Sequence, residues 1–558
     1  MQRRQVLKVL FGAGIGTDVF CRALAAQAAQ AGRVTAEMIQ QSEWIAGIEL
    51  DEDERQSTAN RVNNLIERFK VLRNVEVGYD IPPALSFFAD PGSADSCQPR
   101  AEVRPIETAA GRKPDSSDDL AFLPVTELGA LLRTRQISSI ELTKLYLERL
   151  EKYDPALLCV VTLTPELALR QAERADRELS RGQYRGPLHG IPWGAKDLIA
   201  VPGYKTTWGA TPFADQKLEK QATVARRLEQ AGCVLVAKLA LGALAQGDRW
   251  FRGQTRNPWF QEQGSSGSSA GSASATVAGL VGFSIGSETL GSIVSPCRRC
   301  GASGLRPTFG RVSRYGCMSL SWSMDKLGPI CRSVEDCALV FGAIHGRDGL
   351  DPTAGERTFH WPPVRDLRTL RVGYIDEPAF PAEGRADLKA LKELGVTLVP
   401  IRLPNEIPAD ALTLILGTAA GAVFDDLTRQ GVSEGLGSWP GTFRQAQFVP
   451  AVEYLRANRI RMLLMKQMEE LMRTVDLYVG GDDAVITNLT GHPTVVLPSG
   501  FAAQGDVALP TVMTLTGRLF GETELLSVAH ALQQATDHHL RRPPLERLKP
   551  LEAAVEVN

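Results

Sequence analysis

Residues 264–275 read GSSGSSAGSASA, twelve successive positions that use only glycine, serine and alanine. A segment of this composition usually behaves as a flexible linker. Here it stands near mid-chain and runs directly into the apolar stretch TVAGLVGFSIG. Any fold must either spend it as a hinge between domains or pack it inside an active site, and composition alone leaves both open.

At about 150 residues per domain, a chain of 558 residues has room for three or four domains, or for one large α/β domain. The hydrophobic fraction is 44% and the charged fraction 23%, ordinary for a globular protein. A net charge of −2 gives no electrostatic footprint for nucleic acid or an anionic membrane, so a small or neutral partner is expected. No run of about 20 apolar residues is present, so no membrane span is expected. The nine cysteines are scattered. Cys297 and Cys300 form a CRRC pair, but no second pair or ligand-spaced histidines accompany them, which disfavours zinc. A redox role stays open beside the simpler reading as buried thiols.

The N-terminus, MQRRQVLKVLFGAGIGTDVFCRALAAQA, has Arg3 and Arg4, then Val6, Leu7 and Lys8, a mildly apolar stretch, and small residues from Ala23 to Ala28. It resembles a twin-arginine export signal. That reading makes 1–28 a signal peptide, cleaved near Ala26 or Ala28, and the mature protein periplasmic. Asp18 and Arg22 fit its apolar core poorly; the alternative is an amphipathic helix on a cytoplasmic protein.

Residues 33–80 read as helical, with Val62, Leu65, Phe69 and Leu72 on one face, and the acidic cluster Asp51–Glu54 reads as a solvated helix start. Residues 90–119 are rich in Pro, Gly, Ser and Asp and read as a linker with a boundary near 118. A second helical pattern begins at Ser138, whose spacing to Glu141 is that of a capping box. Leu142, Leu145, Tyr146 and Leu150 share its face, and Pro155 is expected to follow its end. CVLVAKL (233–239) and LRVGYI (370–375) read as strands, DLKALKELG as a helix closing on Gly395, and VTLVPIRL as another strand. That alternation predicts an α/β fold with a covered sheet.

Three chemistries compete. The pattern G-x-S-x-G of a nucleophile elbow occurs twice, centred on Ser269 and Ser284, with His345, His492 and His530 downstream. Chance matches are expected in so glycine- and serine-rich a stretch, so an α/β-hydrolase esterase is the remote reading. A metal site has only Asp537, His538 and His539 as a cluster, which reads as a solvated helix end. The third is Lys196, in the apolar, glycine-punctuated GPLHGIPWGAKDLIAVPG. A buried lysine has a lowered pKa and can act as a base; a strand-end lysine reaching water is the plainer alternative.

GPLHGIPWGAKD, followed by GSSAGSASATVAGLVGFSIGSETLGSIVSPCRRCGASGLRPTFGRVS, resembles the amidase signature family. Further matching stretches, from LPVTELGALLRTRQISSIELTKLYLERL to LTGRLFGETELLSVAHALQQAT, extend the resemblance over about 119–536. It implies a large mixed β-sheet covered by helices on both faces, here as a domain over 119–545. A helical N-terminal extension and linker over 29–118 would precede it, and a C-terminal tail over 546–558 would follow. It further implies a Ser-cisSer-Lys triad that needs no metal or organic cofactor. Lys196 matches the base, Ser292 the nucleophile and Ser268 the bridging serine after a cis peptide. Ser268 and Ser292 stand 24 positions apart, as the family pattern requires. The backbone N–H groups of Thr289, Leu290, Gly291 and Ser292 match the oxyanion hole.

Two departures from the family stand out. Leu290 replaces a usual glycine, and leucine tolerates positive φ poorly, so the oxyanion turn is expected to differ there or leucine to line the acyl pocket. Val294 replaces a frequent arginine, which makes an acidic substrate less expected. The reading reached is an amidase for small molecules, as a monomer or a homodimer. The competing role is the glutaminase-type A subunit of a tRNA-dependent amidotransferase, which needs partner subunits and a cytoplasmic location.

Overall fold

The runs read as strands are apolar almost throughout, the pattern of strands covered on both faces. The computed structural model describes residues 33–77, 84–85, 103–106, 111–363, 365–376, 384–505 and 507–551. The signal-like segment and most of the 90–119 linker lie outside the described residues.

Eleven strands form one mixed sheet. They are β1 (Val160–Leu163), β2 (Pro192–Lys196), β3 (Val234–Leu239), β4 (Phe283–Glu288), β5 (Ser303–Arg306), β6 (Lys326–Cys331), β7 (Arg371–Ile375), β8 (Thr397–Ile401), β9 (Leu477–Val479), β10 (Thr494–Gln504) and β11 (Val507–Gly517). Their spatial order is β1-β3-β2-β4-β6-β5-β10-β11-β9-β7-β8. β2 runs parallel to β3 and β4, and β7 runs parallel to β8 and β9. The remaining neighbours are antiparallel.

β3 shows why the sheet is buried on both sides. Leu235 enters an apolar cluster with Trp193, Ala195, Phe283 and Ile285. Its neighbours Val234 and Val236 enter a different cluster with Leu150, Leu157 and Ala168. Period-two alternation sends successive side chains to opposite faces, and here both faces are apolar.

The helices that matter for the site are α1 (Ala36–Ala46), α2 (Glu52–Arg73), α3 (Ser139–Leu157), α4 (Ala270–Val277), α5 (Val294–Cys300), α6 (Ala386–Glu393) and α7 (Ala451–Thr474). Asp51 caps α2 through a full capping box with Glu54, so the acidic cluster is a helix start. Val62, Leu65, Phe69 and Leu72 are all buried, as their spacing predicts. Ser138 and Glu141 form the expected capping box of α3. Pro155 does not follow the end of α3 but lies in its last turn. A proline so close to a helix end forfeits only one intrahelical bond. Asp154 then turns the chain toward β1, its Oδ1 accepting from the N–H groups of Cys159 and Val160 at 2.8 Å each. α6 links the parallel strands β7 and β8 and is followed by Gly395 at φ 82°, as read from the sequence. The segment read as a tail is held to the body as far as Leu551, whose N–H donates to Pro155 O at 3.0 Å.

Candidate active site

Lys196 is the last residue of β2. Trp193 and Ala195 enter one core cluster, so strand alternation turns Gly194 and Lys196 to the other side. Lys196 is fully buried. Its Nζ lies 2.8 Å from Ser268 Oγ, 3.0 Å from Ser269 Oγ and 2.9 Å from Ser287 Oγ. Ser287 O is 3.3 Å away. All four are neutral oxygens. The adjacent acid, Asp197, is turned away: its Oδ1 pairs with the fully buried Lys238 at 2.6 Å. Its Oδ2 accepts from Thr207 N at 2.7 Å. Among the described residues no carboxylate forms an ion pair with Lys196. Burial holds its pKa well below the ordinary 10.5, with Glu288 and Asp325 opposing only in part.

The glycine-serine-alanine stretch is packed rather than hinged. Every residue of α4 is buried. A Cβ on Gly271 would stand 2.3 Å from Cys159 O and 2.5 Å from Ala240 N. A Cβ on Gly267 would stand 1.8 Å from Gly247 O. Small residues are thus required because backbone from three other segments touches this one. The Gly267–Ser268 peptide is cis, at the bond that the family resemblance implies.

Ser292 lies in the turn between β4 and α5. Glu288, at the end of β4, holds that turn. Its Oε2 accepts from the N–H groups of Ile293 at 2.8 Å and Val294 at 3.0 Å. Its Oε1 accepts from Arg306 at 2.7 Å and Asn488 at 2.8 Å. Desolvation would raise the Glu288 pKa, but Arg306, Lys326 and the backbone donor of Val294 prevail and lower it to about 2. The hydroxyl of Thr289 donates to Asp325 Oδ1 at 2.6 Å, while Asp325 Oδ2 accepts from the N–H groups of Leu320 and Ser321. Positive φ in this turn falls on Gly291 (82°) and not on Leu290, so leucine needs no left-handed backbone. Ser269 N–H donates to Ser292 O at 3.1 Å, which brings the two serine segments together. Among the described residues the hydroxyls of Ser268 and Ser292 are not hydrogen-bonded to each other.

The other candidates are occupied elsewhere. Ser284 is mid-strand in β4 and bonds Ser272 O at 2.9 Å, so it is on no strand-to-helix turn. His492 bonds Thr490, His345 packs on Phe341 and Phe359, and His530 stands edge-on to Trp361. Cys297 and Cys300 are free, buried thiols, and no group of three or more metal-binding side chains occurs among the described residues. Val294 faces an apolar cluster with Ala273, Cys297 and Val496. No described helix is long and apolar enough to cross a membrane.

Sequence reasoning passed over Ser269, Ser287, Glu288 and Asp325. Ser269 stood out only as an elbow match, yet its Oγ accepts from Lys196 Nζ and from Ser287 N–H at 3.1 Å. The available signal for Glu288 and Asp325 was an acid next to a run of buried strand residues, where a charge demands a partner.

The fold is a mixed α/β sheet with a buried lysine at a strand end among serine hydroxyls, and comparison with known proteins shows its family. The amidase family model matches residues 141–481. The A subunit of glutamyl-tRNA(Gln) amidotransferase from Moorella thermoacetica is 34% identical, over 76% of this chain and 99% of that protein. Native peptide amidase from Stenotrophomonas maltophilia is 30% identical with a TM-score of 0.65, over 75% of this chain and 98% of that one. A 6-aminohexanoate cyclic dimer hydrolase shares the fold, with a TM-score of 0.67 at 22% identity. The chain belongs to the amidase signature family and is a hydrolase of carbon–nitrogen bonds.

Proposed function

We propose that the protein hydrolyses the amide bond of a small molecule through an acyl-enzyme on Ser292, with Ser268 as proton relay and Lys196 as base. The observation that carries this is Lys196, fully buried, without a counter-ion among the described residues and 2.8 Å from Ser268 Oγ. Neutral Lys196 accepts the Ser268 proton as Ser268 accepts that of Ser292. Ser292 Oγ then bonds to the carbonyl carbon. The N–H groups of Thr289, Leu290, Gly291 and Ser292 are the donors for the developing oxyanion. The proton returns along the relay to the leaving nitrogen, the C–N bond breaks and the amine departs. Water attacks the acyl group through the same relay and frees the acid. The Ser268–Ser292 contact closes when substrate binds, since catalytic hydrogen bonds are often open in the free enzyme.

A fluorophosphonate probe tests this reading. Peptide mapping is expected to place the adduct on Ser292; an adduct on Ser269 or Ser284 overturns the assignment. A second reading, the A subunit of a tRNA-dependent amidotransferase, is favoured by the curated relatives bearing that name. The purified chain alone should hydrolyse simple amides under the first reading, and should need partner subunits and glutamine under the second.

A further inference from the structure

A cavity of about 710 Å³ is unused by the mechanism above, and Lys196, Ser268 and Ser292 do not line it. It borders the site through one loop. Ser319, Trp322 and Ser323 line the cavity. The intervening Leu320 and Ser321 donate to Asp325, which takes the Thr289 hydroxyl of the oxyanion turn.

Arg461 of α7 also lines it and is only 5% exposed. Its Nε donates to Leu489 O, and its Nη1 and Nη2 donate to Ser323 Oγ and Ser323 O at 2.8 Å each. These bonds use three of the five N–H donors of a guanidinium. Among the described residues no carboxylate pairs with Arg461. Arg314, in the same cavity, is by contrast forked onto Asp351 at 2.9 and 3.1 Å. Burial lowers the pKa of Arg461 to about 10. A buried cation without a counter-ion is costly unless something neutralises it. Around it stand Met462 and Met465, and Trp322 and Leu350 are 53% and 43% exposed beside the same space. Large apolar side chains left in water next to an unneutralised buried cation favour a ligand with both characters.

We propose that this cavity binds a carboxylate carried on an aromatic or branched apolar body, with the carboxylate on the two N–H donors of Arg461 that no described residue takes and the body against Trp322, Met462 and Met465. Such an acid has two sources: the far end of an amide substrate, which would supply an anion site that Val294 lacks, or a separate small acid. The first rests on the amidase reading and the second does not.

The test is calorimetric titration of the full chain carrying Ser292→Ala with 4-phenylbutyrate and with 4-phenylbutanol. A charge-assisted bond to Arg461 should make the acid bind about 10-fold more tightly than the alcohol. Arg461→Gln should bring the two together, and Trp322→Ala should weaken both and keep their ratio. Equal affinities in the Ser292→Ala protein, or an acid preference that survives Arg461→Gln, overturns the proposal. If Arg461→Gln does not fold, Met465→Glu replaces it and should weaken the acid far more than the alcohol. With the active enzyme and an anilide substrate, competitive inhibition by 4-phenylbutyrate assigns the acid to the substrate's end. Binding without competition assigns it to a separate ligand. Calorimetry needs no turnover, so acid binding alongside an unmutated protein that hydrolyses no amide sinks the amidase reading and leaves this one standing.

Discussion

A lysine that works as a base is defined by the charges kept away from it. Three carboxylates are close in sequence or space to Lys196, and all are engaged: Asp197 with Lys238, Glu288 with Arg306 and the backbone after Ser292, and Asp325 with the Thr289 hydroxyl and the N–H groups of Leu320 and Ser321. What remains around Nζ is a cage of serine oxygens. Such oxygens stabilise an ammonium far less than a carboxylate does, so desolvation dominates and the pKa falls. The sign for activity follows. Protonated Lys196 has no lone pair for Ser268, so kcat/KM should rise with pH through the lowered lysine pKa and level off above it. That limb should lie well below the 10.5 of a free lysine. Lys196→Ala should reduce kcat/KM by roughly 10²–10⁴-fold, as loss of a general base does. Its melt should remain a single cooperative transition, because no described carboxylate is left unpaired when the lysine is removed. Lys196→Arg, which stays protonated, should be as inactive as the alanine variant. A pH–rate profile with paired thermal melts reads all of this. A histidine variant as inactive as Lys196→Ala would revive the elbow reading.

Between β4 and α5 the chain makes a five-residue turn over 289–293, and Glu288 braces it from the strand end. The carboxylate reaches past Ser292 to the N–H groups of Ile293 and Val294, fixing where the serine stands against Ser268. Misplacing a reacting group by about 1 Å costs on the order of 10²-fold, so Glu288→Gln should lower kcat/KM by about that factor. Its folded pKa of about 2 lies below the 4.5 of a free glutamate. Between those values the unfolded chain binds more protons, so the stabilisation is complete above about 4.5 and is lost as pH falls toward 2. The melting-temperature gap between native and Glu288→Gln protein should therefore be wide at neutral pH and narrow in acid. A gap that does not change with pH would show that Glu288 is not the charge holding the turn. This element also shows what a sequence conceals. The strand 233–239 was legible because both its faces are apolar, and its period needed no knowledge of neighbours. The roles of Ser287, Glu288 and Asp325 depend on the order β2-β4-β6, which sets the ends of three strands side by side. Local pattern does not carry that adjacency. Lys196 stood out as a lysine in an apolar, glycine-punctuated segment, whereas Ser268 and Ser292 could be singled out only through the family resemblance.

For the whole molecule, the question is whether the first described helices form a separate unit. The apolar face of α2 was readable in RVNNLIERFKVLR, but its partner was not, because residues 405–470 carry no chemical motif to mark them. In the structure Leu65, Phe69 and Leu72 enter one cluster with Ile407, Leu412 and Ile415 and with Ile460 and Leu464 of α7. Arg73 pairs with Glu453 at 2.6 Å and Arg444 with Glu54 at 2.7 Å, on either side of the apolar contact. α7 is the helix that also presents Arg461 to the cavity. A contact so apolar should melt with the body and not before it. Phe69 is 5% exposed, and replacing a buried phenylalanine with alanine costs about 3–5 kcal/mol. Phe69→Ala is therefore expected to lower the single calorimetric transition of the whole chain, and a chain beginning at residue 112 should melt lower still and aggregate through the uncovered Ile460 and Leu464. If the helices were an independent unit, Phe69→Ala would instead split off a small early transition and leave the main one in place. The shortened chain would then keep the native melting temperature. Differential scanning calorimetry of the three proteins separates these outcomes, and activity retained after the early transition would decide for the independent unit.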